Sequence, residues 1–184
     1  MIRNEPLTAI IPARGGSKGV PKKNLYRIDG DTLVERAIRL ARESGRVDRV
    51  LVTTDDPEIY AIAKAHDAAP PSLRPSALAT DDARTIDAVQ HLIADAKVTG
   101  GYLLLLQPTS PLRTAEDLKA LCAQLEAHPE ADAITSVASG PSALLTTGGV
   151  KIGPILYFEI SFSPSARSSG VKSIKLSTTN PCAS

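Results

Sequence analysis

Apolar and polar positions along the chain alternate between two periods. Leu7-Thr8-Ala9-Ile10-Ile11 is a short apolar run with β-branched residues closed by Pro12, the pattern of a buried strand. From Asp31 onward Leu33, Val34, Ala37, Ile38 and Leu40-Ala41 recur at helical spacing, with Asp31 or Thr32 placed to cap the helix and Gly45 to end it. Val47 with Val50 to Thr53 predicts a second strand. It runs into the acidic turn Thr54-Asp55-Asp56-Pro57, and Pro57 suits the first turn of a short helix bearing Ile59, Ile62 and Ala63. Residues 67–83 carry no clear period. Thr85 to Ala96 predicts a helix with Ile86, Val89, Leu92 and Ile93 on one face. Tyr102 to Leu106, bounded by Gly101 and Pro108, predicts a strand, and Thr114-Ala-Glu-Asp opens a helix with the spacing of a capping box. That helix carries Leu118, Leu121 and Leu125 and stops near Pro129, ahead of a further strand from Ala133 to Val137.

Strand and helix in repeated alternation predict an α/β fold, a mainly parallel sheet covered by helices on both faces. Ligands of such sheets bind beyond the carboxyl ends of the strands. The unusual residues cluster in those places, the loops after Ile11, Val52 and Leu106. Beyond Val137 the pattern fades. Glu159 is the only acidic residue between Ala133 and Ser184, and Ser and Thr supply 14 of the 47 residues from Ala138 onward, a composition that favours disorder. The expected organisation is one α/β domain over 1–137 and a divergent, partly disordered tail over 138–184, with a strand or two supplied by residues 150–162.

Composition narrows the functional classes. The net charge of +1 points to no polyanion-binding surface, so basic residues must act locally. Aromatic residues are 3% of the chain with no Trp, against stacking platforms for single-stranded nucleic acid. No stretch approaches the ~20 apolar residues of a membrane helix, and Pro12 and Arg14 interrupt the N-terminal apolar run, against a signal peptide. Cys122 and Cys182 lack metal-ligand spacing and are read as unpaired, so the expected setting is cytoplasmic. His66, His91 and His128 have no partners at ligand spacing.

The segment Ala13 to Asn24 holds three glycines, a proline and the four cations Arg14, Lys18, Lys22 and Lys23. Glycines let backbone N–H groups approach an anion, and the cations add full charges, so the loop reads as a phosphate cradle directly after a strand. It fits neither the Walker A spacing nor GxGxxG. Lys22 is read as a solvated surface lysine. Asp55 and Asp56 are read as capping the helix at Pro57 in preference to holding a metal.

The run IPARGGSKGVPKKNL (residues 11–25) resembles the N-terminal signature of acylneuraminate cytidylyltransferases, the CMP-N-acetylneuraminic acid synthetases. Three more matches follow in order: Val52-Thr53-Thr54-Asp55; Leu73-Arg74-Pro75 with Leu78-Ala79-Thr80-Asp81 and Thr85; and Leu106-Gln107-Pro108-Thr109-Ser110-Pro111-Leu112-Arg113. Together they cover about residues 7–137. The resemblance implies a three-layer α/β/α Rossmann-like nucleotide-diphospho-sugar transferase fold whose C-terminal part is incomplete. It also implies a reaction in which the anomeric hydroxyl of an acidic nine-carbon sugar attacks the α-phosphate of CTP and expels pyrophosphate. By that resemblance Arg14, Lys18 and Lys23 hold the triphosphate, with Arg14, Lys23 and Gln107 the catalytic set. Ser17 and Asn24 bond phosphate or ribose, Ala13 and Gly15 lend backbone to the nucleotide site, and Arg74 and Thr85 complete it. Gln107, Thr109, Ser110 and Arg113 face the sugar, Arg113 pairing with its carboxylate or tying the loop down. The family further implies Mg²⁺ and a homodimer, and gives no expectation of nucleic acid or membrane as partner.

The chain departs from the family beyond residue 137. The family's His-His-Pro segment, its Arg-x-Asn-Gly-Ala-Ile-Tyr strand and its late Asp-x-Asp metal motif do not appear, and Gly153-Pro-Ile-Leu-Tyr157 is a faint echo of the second. The Mg²⁺ ligands and the dimer segment are therefore not identifiable. The change in composition is what a shifted reading frame or a truncated gene produces, and it predicts the missing motifs in another frame of the locus. Two alternatives stand beside the main reading. One is a cytidylyltransferase for legionaminic, pseudaminic or 3-deoxy-octulosonic acid; the last is less favoured because that family's loop resembles Ser-x-Arg-Leu-Pro. The other is a catalytically impaired nucleotide-binding remnant of the family.

Overall fold

The computed structural model describes residues 1–16, 19–131, 133–137, 158–162 and 173–177. Its centre is a six-stranded sheet of β1 (Leu7–Pro12), β4 (Arg49–Thr53), β5 (Tyr102–Leu106), β6 (Ala133–Val137), β7 (Phe158–Phe162) and β8 (Ser173–Ser177). The strand order is β4-β1-β5-β7-β6-β8. β1 lies parallel between β4 and β5, with Ile10 opposite Leu51 and Leu105. β7 runs antiparallel to both β5 and β6, and β8 is parallel to β6. The sheet is thus parallel in its first half with one antiparallel strand inserted beyond β5. β7 falls within the stretch expected to supply a strand, and β8 adds another from 138–184; the Gly153–Tyr157 echo, Cys182 and the remainder of that stretch lie outside the described residues. A two-stranded hairpin, β2 (Arg27–Ile28) with β3 (Asp31–Thr32), precedes the first helix.

Alternation along the strands sorts the core into two halves. Leu7, Ala9 and Ile11 of β1, Val50 and Val52 of β4, and Tyr102, Leu104 and Leu106 of β5 face three helices. These are α1 (Leu33–Glu43), α2 (Pro57–Ala65) and α4 (Ala115–Ala127), which contribute Val34, Ile38, Ile59, Leu118, Leu121, Cys122 and Leu125. Ile10, Leu51 and Leu103 face the opposite way onto Val89 and Leu92 of α3 (Thr85–Asp95). Helices on both faces give the three-layer α/β/α arrangement that the alternating pattern predicts. On α3 the buried stripe is Ala88, Val89 and Leu92, whereas Ile86 is exposed because it sits a turn too early to reach the sheet.

Local chemistry sets the helix starts that aim the loops. Thr32 caps α1 in a full capping box, its hydroxyl accepting from Glu35 N and Glu35 accepting from Thr32 N. Gly45, at φ +62°, ends the same helix in the left-handed region. Asp56 caps α2 at Pro57, and Thr114 with Asp117 closes a second capping box on α4. No helix among the described residues is long and apolar enough to cross a membrane.

Candidate functional site

β4, β1 and β5 are adjacent and parallel, so the loops after Thr53, Pro12 and Leu106 open at the same edge. The loop after β1 is pinned at its root. Ala13 is buried and its N–H donates to Thr53 O at 3.0 Å, continuing the ladder one residue past the strand. The Gly15 N–H then donates to Asp55 Oδ1 at 3.1 Å. A β-carbon on Gly15 would lie 2.7 Å from Asp56 Oδ2 and 2.9 Å from Asp56 Cβ, so glycine is needed for close approach of the two loops. Asp55 and Asp56 therefore divide the work that the sequence assigned to both: Asp56 caps α2, while Asp55 binds the glycine loop and faces Arg74.

The far end of the loop turns back through Lys22, at φ +49°, into a 3-10 turn over Lys23–Leu25. Asn24 is buried and its Nδ2 donates to Arg14 O at 2.9 Å, closing the loop on itself, while its buried Oδ1 has no hydrogen-bond partner among the described residues. Lys22 points away and pairs with Glu58 at 2.7 Å on the surface, as a solvated lysine should. Ser17 and Lys18 lie outside the described residues.

A cleft of about 290 Å³ lies over these strand ends. Arg14, Lys23, Asn24, Arg74, Thr85, Gln107 and Thr109 line it, joined by Thr80, Asp81 and Arg84. Residues 14, 23, 24, 74, 85, 107 and 109 of the expected site thus converge on one cavity. Ala13 and Gly15 flank Arg14 in the loop without lining the cleft themselves. Ser110 and Arg113 instead line a separate cavity of about 340 Å³ between α1 and the start of α4, with Pro108 shared between the two. Arg113 is buried and donates from Nε to Ser110 O at 2.8 Å and from Nη2 to Gln107 O, so it ties down the turn that presents Gln107. Burial pushes its guanidinium down to about 10.

The cleft is cationic. Arg14, Lys23, Arg74 and Arg84 line it against one lining carboxylate, Asp81. Arg14 reaches across to the opposite wall, donating to Thr80 O at 3.1 Å and pairing with Asp81 at 2.9 Å. Arg74 is held from below, its N–H on Thr54 O at 2.8 Å and its Nη2 at 3.4 Å from Asp55 Oδ1. Burial lowers the Arg74 guanidinium, the nearby Asp55 carboxylate opposes that, and the Arg14 charge adds to it. Asp81 and Asp55 are the site residues that sequence reasoning missed. Asp81 stood inside the quoted Leu78-Ala79-Thr80-Asp81 match, but no local signal says that its partner is a residue of the glycine loop.

Mg²⁺ takes oxygen ligands, commonly one or two carboxylates together with waters and substrate phosphates. Among the described residues no group of three or more His, Cys, Asp or Glu could hold a metal ion. Asp55, Asp56 and Asp81 are each engaged with an N–H group or a guanidinium. The described residues thus form no all-protein magnesium cage.

A mainly parallel sheet with a glycine-rich cationic loop over its carboxyl edge defines an α/β protein with an open cationic cleft at its strand ends. The solved 4-diphosphocytidyl-2C-methyl-D-erythritol synthase shares the fold, with a TM-score of 0.66 at 14% identity over 97% of this chain and 94% of that one. The sequence profile of the family described as cytidylyltransferase matches residues 8–152, and the chain belongs to that family. The CMP-N,N'-diacetyllegionaminic acid synthase of Legionella pneumophila is 37% identical over 116 residues, 61% of this chain and 50% of that protein. The 3-deoxy-manno-octulosonate cytidylyltransferase of Anaeromyxobacter is 31% identical over 173 residues, 91% of this chain and 68% of that protein. The chain spans about half the length of the legionaminic and pseudaminic acid enzymes that it matches, and 25% of the N-acylneuraminate cytidylyltransferase of Escherichia coli.

Proposed function

We propose that this protein binds CTP in the 290 Å³ cleft and transfers its cytidylyl group to an acidic sugar of the sialic type. The sugar's anomeric hydroxyl attacks the α-phosphorus, the bond from that phosphorus to the bridging oxygen of the β-phosphate breaks, and pyrophosphate leaves. The hydroxyl proton passes to solvent. Such a displacement needs alignment and charge neutralisation more than a covalent intermediate. Arg14 and Lys23 neutralise the triphosphate and the departing pyrophosphate. Asn24, Arg74 and Thr85 surround the nucleoside, the buried Oδ1 of Asn24 serving as an acceptor. Gln107, presented by the turn that Arg113 ties down, meets the incoming sugar.

One observation carries this reading: two cations of the glycine loop, Arg14 and Lys23, converge with Arg74 and Gln107 from two other segments on a cavity at the carboxyl ends of β1 and β5. The relatives that synthesise CMP-linked acidic sugars support the choice of substrate class. The test is pyrophosphate release from CTP against a panel of N-acetylneuraminic, legionaminic, pseudaminic and 3-deoxy-manno-octulosonic acids. The reading expects release with at least one nine-carbon acid. Release with the eight-carbon acid alone would replace the sugar assignment, and binding of CTP with no release from any would leave a nucleotide-binding remnant.

A further inference from the structure

Among the described residues, Asp55 is the side chain that touches both the glycine loop and the buried arginine of the cleft. Its Oδ1 accepts the Gly15 N–H at 3.1 Å and faces Arg74 Nη2 at 3.4 Å. Arg74 is 8% exposed, and its buried Nε has no hydrogen-bond partner among the described residues. A guanidinium in that position needs an acceptor oxygen within reach to stay aimed in the cleft wall. Asp55 sits at the end of β4, the strand beside β1, so the rigid sheet fixes it relative to the loop. Its neighbour Asp56 caps α2 and Asp81 pairs with Arg14, and among the described residues Asp55 is the carboxylate that pairs with Arg74.

We propose that Asp55 is a positioning residue for the nucleotide: one carboxylate oxygen sets the Gly15 amide and the Arg74 guanidinium at a fixed separation, so that loop and arginine meet the ligand together. This rests on the CTP reading above. The claim is geometric. What matters is an acceptor oxygen at that point, more than the negative charge, which near a triphosphate is itself unfavourable. Asparagine keeps such an oxygen. Glutamate keeps the charge but carries it a methylene too far. Alanine removes both.

The experiment is calorimetric titration of CTP into the full chain and into Asp55→Asn, Asp55→Glu and Asp55→Ala, with the melting temperature of each without nucleotide. Asp55→Asn is expected to bind within about threefold of the parent, and Asp55→Glu and Asp55→Ala at least about tenfold more weakly, by analogy with the cost of a lost charge-assisted hydrogen bond. Arg74→Ala and the Asp55→Ala, Arg74→Ala pair complete a cycle in which Asp55→Ala costs less than about a third as much once Arg74 is gone. If Asp55→Ala fails to fold, Asp55→Asn and Asp55→Glu still decide the matter. Glutamate binding as well as the parent, or asparagine as weak as alanine, overturns the proposal. So does full additivity in the cycle. A parent that ignores CTP overturns the nucleotide reading and this one with it, whereas a parent that binds while Asp55→Glu matches it overturns this one alone.

Discussion

Gly15→Ala tests whether the glycine loop is held by contact or merely flexible. The added β-carbon would meet Asp56 Oδ2 at 2.7 Å and Asp56 Cβ at 2.9 Å. The carboxylate oxygen could swing away, but Asp56 Cβ is fixed to the start of α2, so either the loop lifts or the helix end moves. Moving Asp56 weakens its cap on Glu58 N, now 2.7 Å, at about 1 kcal/mol. Lifting the loop stretches the Gly15 N–H bond to Asp55. Forcing a methyl into packed space costs about 1–3 kcal/mol, which in a chain of this length lowers the melting temperature by about 2–12 °C. Gly16→Ala is the internal control, because none of the described residues lies within 4 Å of the β-carbon there. Differential scanning fluorimetry of both variants, with and without CTP, should show Gly15→Ala destabilised and its CTP-dependent shift reduced, with Gly16→Ala close to the parent. Equal melting temperatures for the two variants would refute the close-approach argument.

Asp81→Asn should tighten CTP binding by about two- to fivefold in calorimetry. Arg14 would no longer have to leave a half-exposed ion pair, of the kind worth about 0.2–1 kcal/mol, and a negative lining charge would be gone; weaker binding would contradict this. Glu35 accepts the Thr32 N–H in the α1 capping box, which holds its carboxyl below the usual carboxylate range. That stabilisation is present above about pH 4.5 and is lost as pH falls through the lower folded value. Glu35→Gln should therefore cost about 0.5–1 kcal/mol at neutral pH and show a flatter decline in melting temperature below pH 4.5. A parallel decline in both proteins would contradict the assignment.

The parts of the fold set by neighbouring residues were legible in the sequence. β1 shows as an apolar run stopped by Pro12, α2 by Asp56 before Pro57, and α4 by the Thr114–Asp117 spacing, since strand burial and helix caps depend on residues within a few positions. The β2–β3 hairpin was not legible, because two-residue strands carry no period. Neither was the antiparallel insertion of β7 between β5 and β6, a choice of partner made across more than fifty residues. The site divides the same way. The glycine loop announced an anion site by composition. The sorting of Gln107 and Thr109 into one cavity, and of Ser110 and Arg113 into the next, depends on which way a single turn folds, and it emerges only when Arg113 is seen holding the carbonyls of Gln107 and Ser110. Asp55 and Asp56 are indistinguishable in sequence and opposite in use.

The central claim is that the cations of the glycine loop grip the phosphates of CTP. Calorimetric titration of CTP into the parent and into an Arg14→Ala, Lys23→Ala double variant addresses it directly. Two lost charge-assisted contacts, at about 1.5–3 kcal/mol each, predict a dissociation constant raised at least about a hundredfold, with the fold intact by circular dichroism. Equal affinity in the folded double variant would contradict the account.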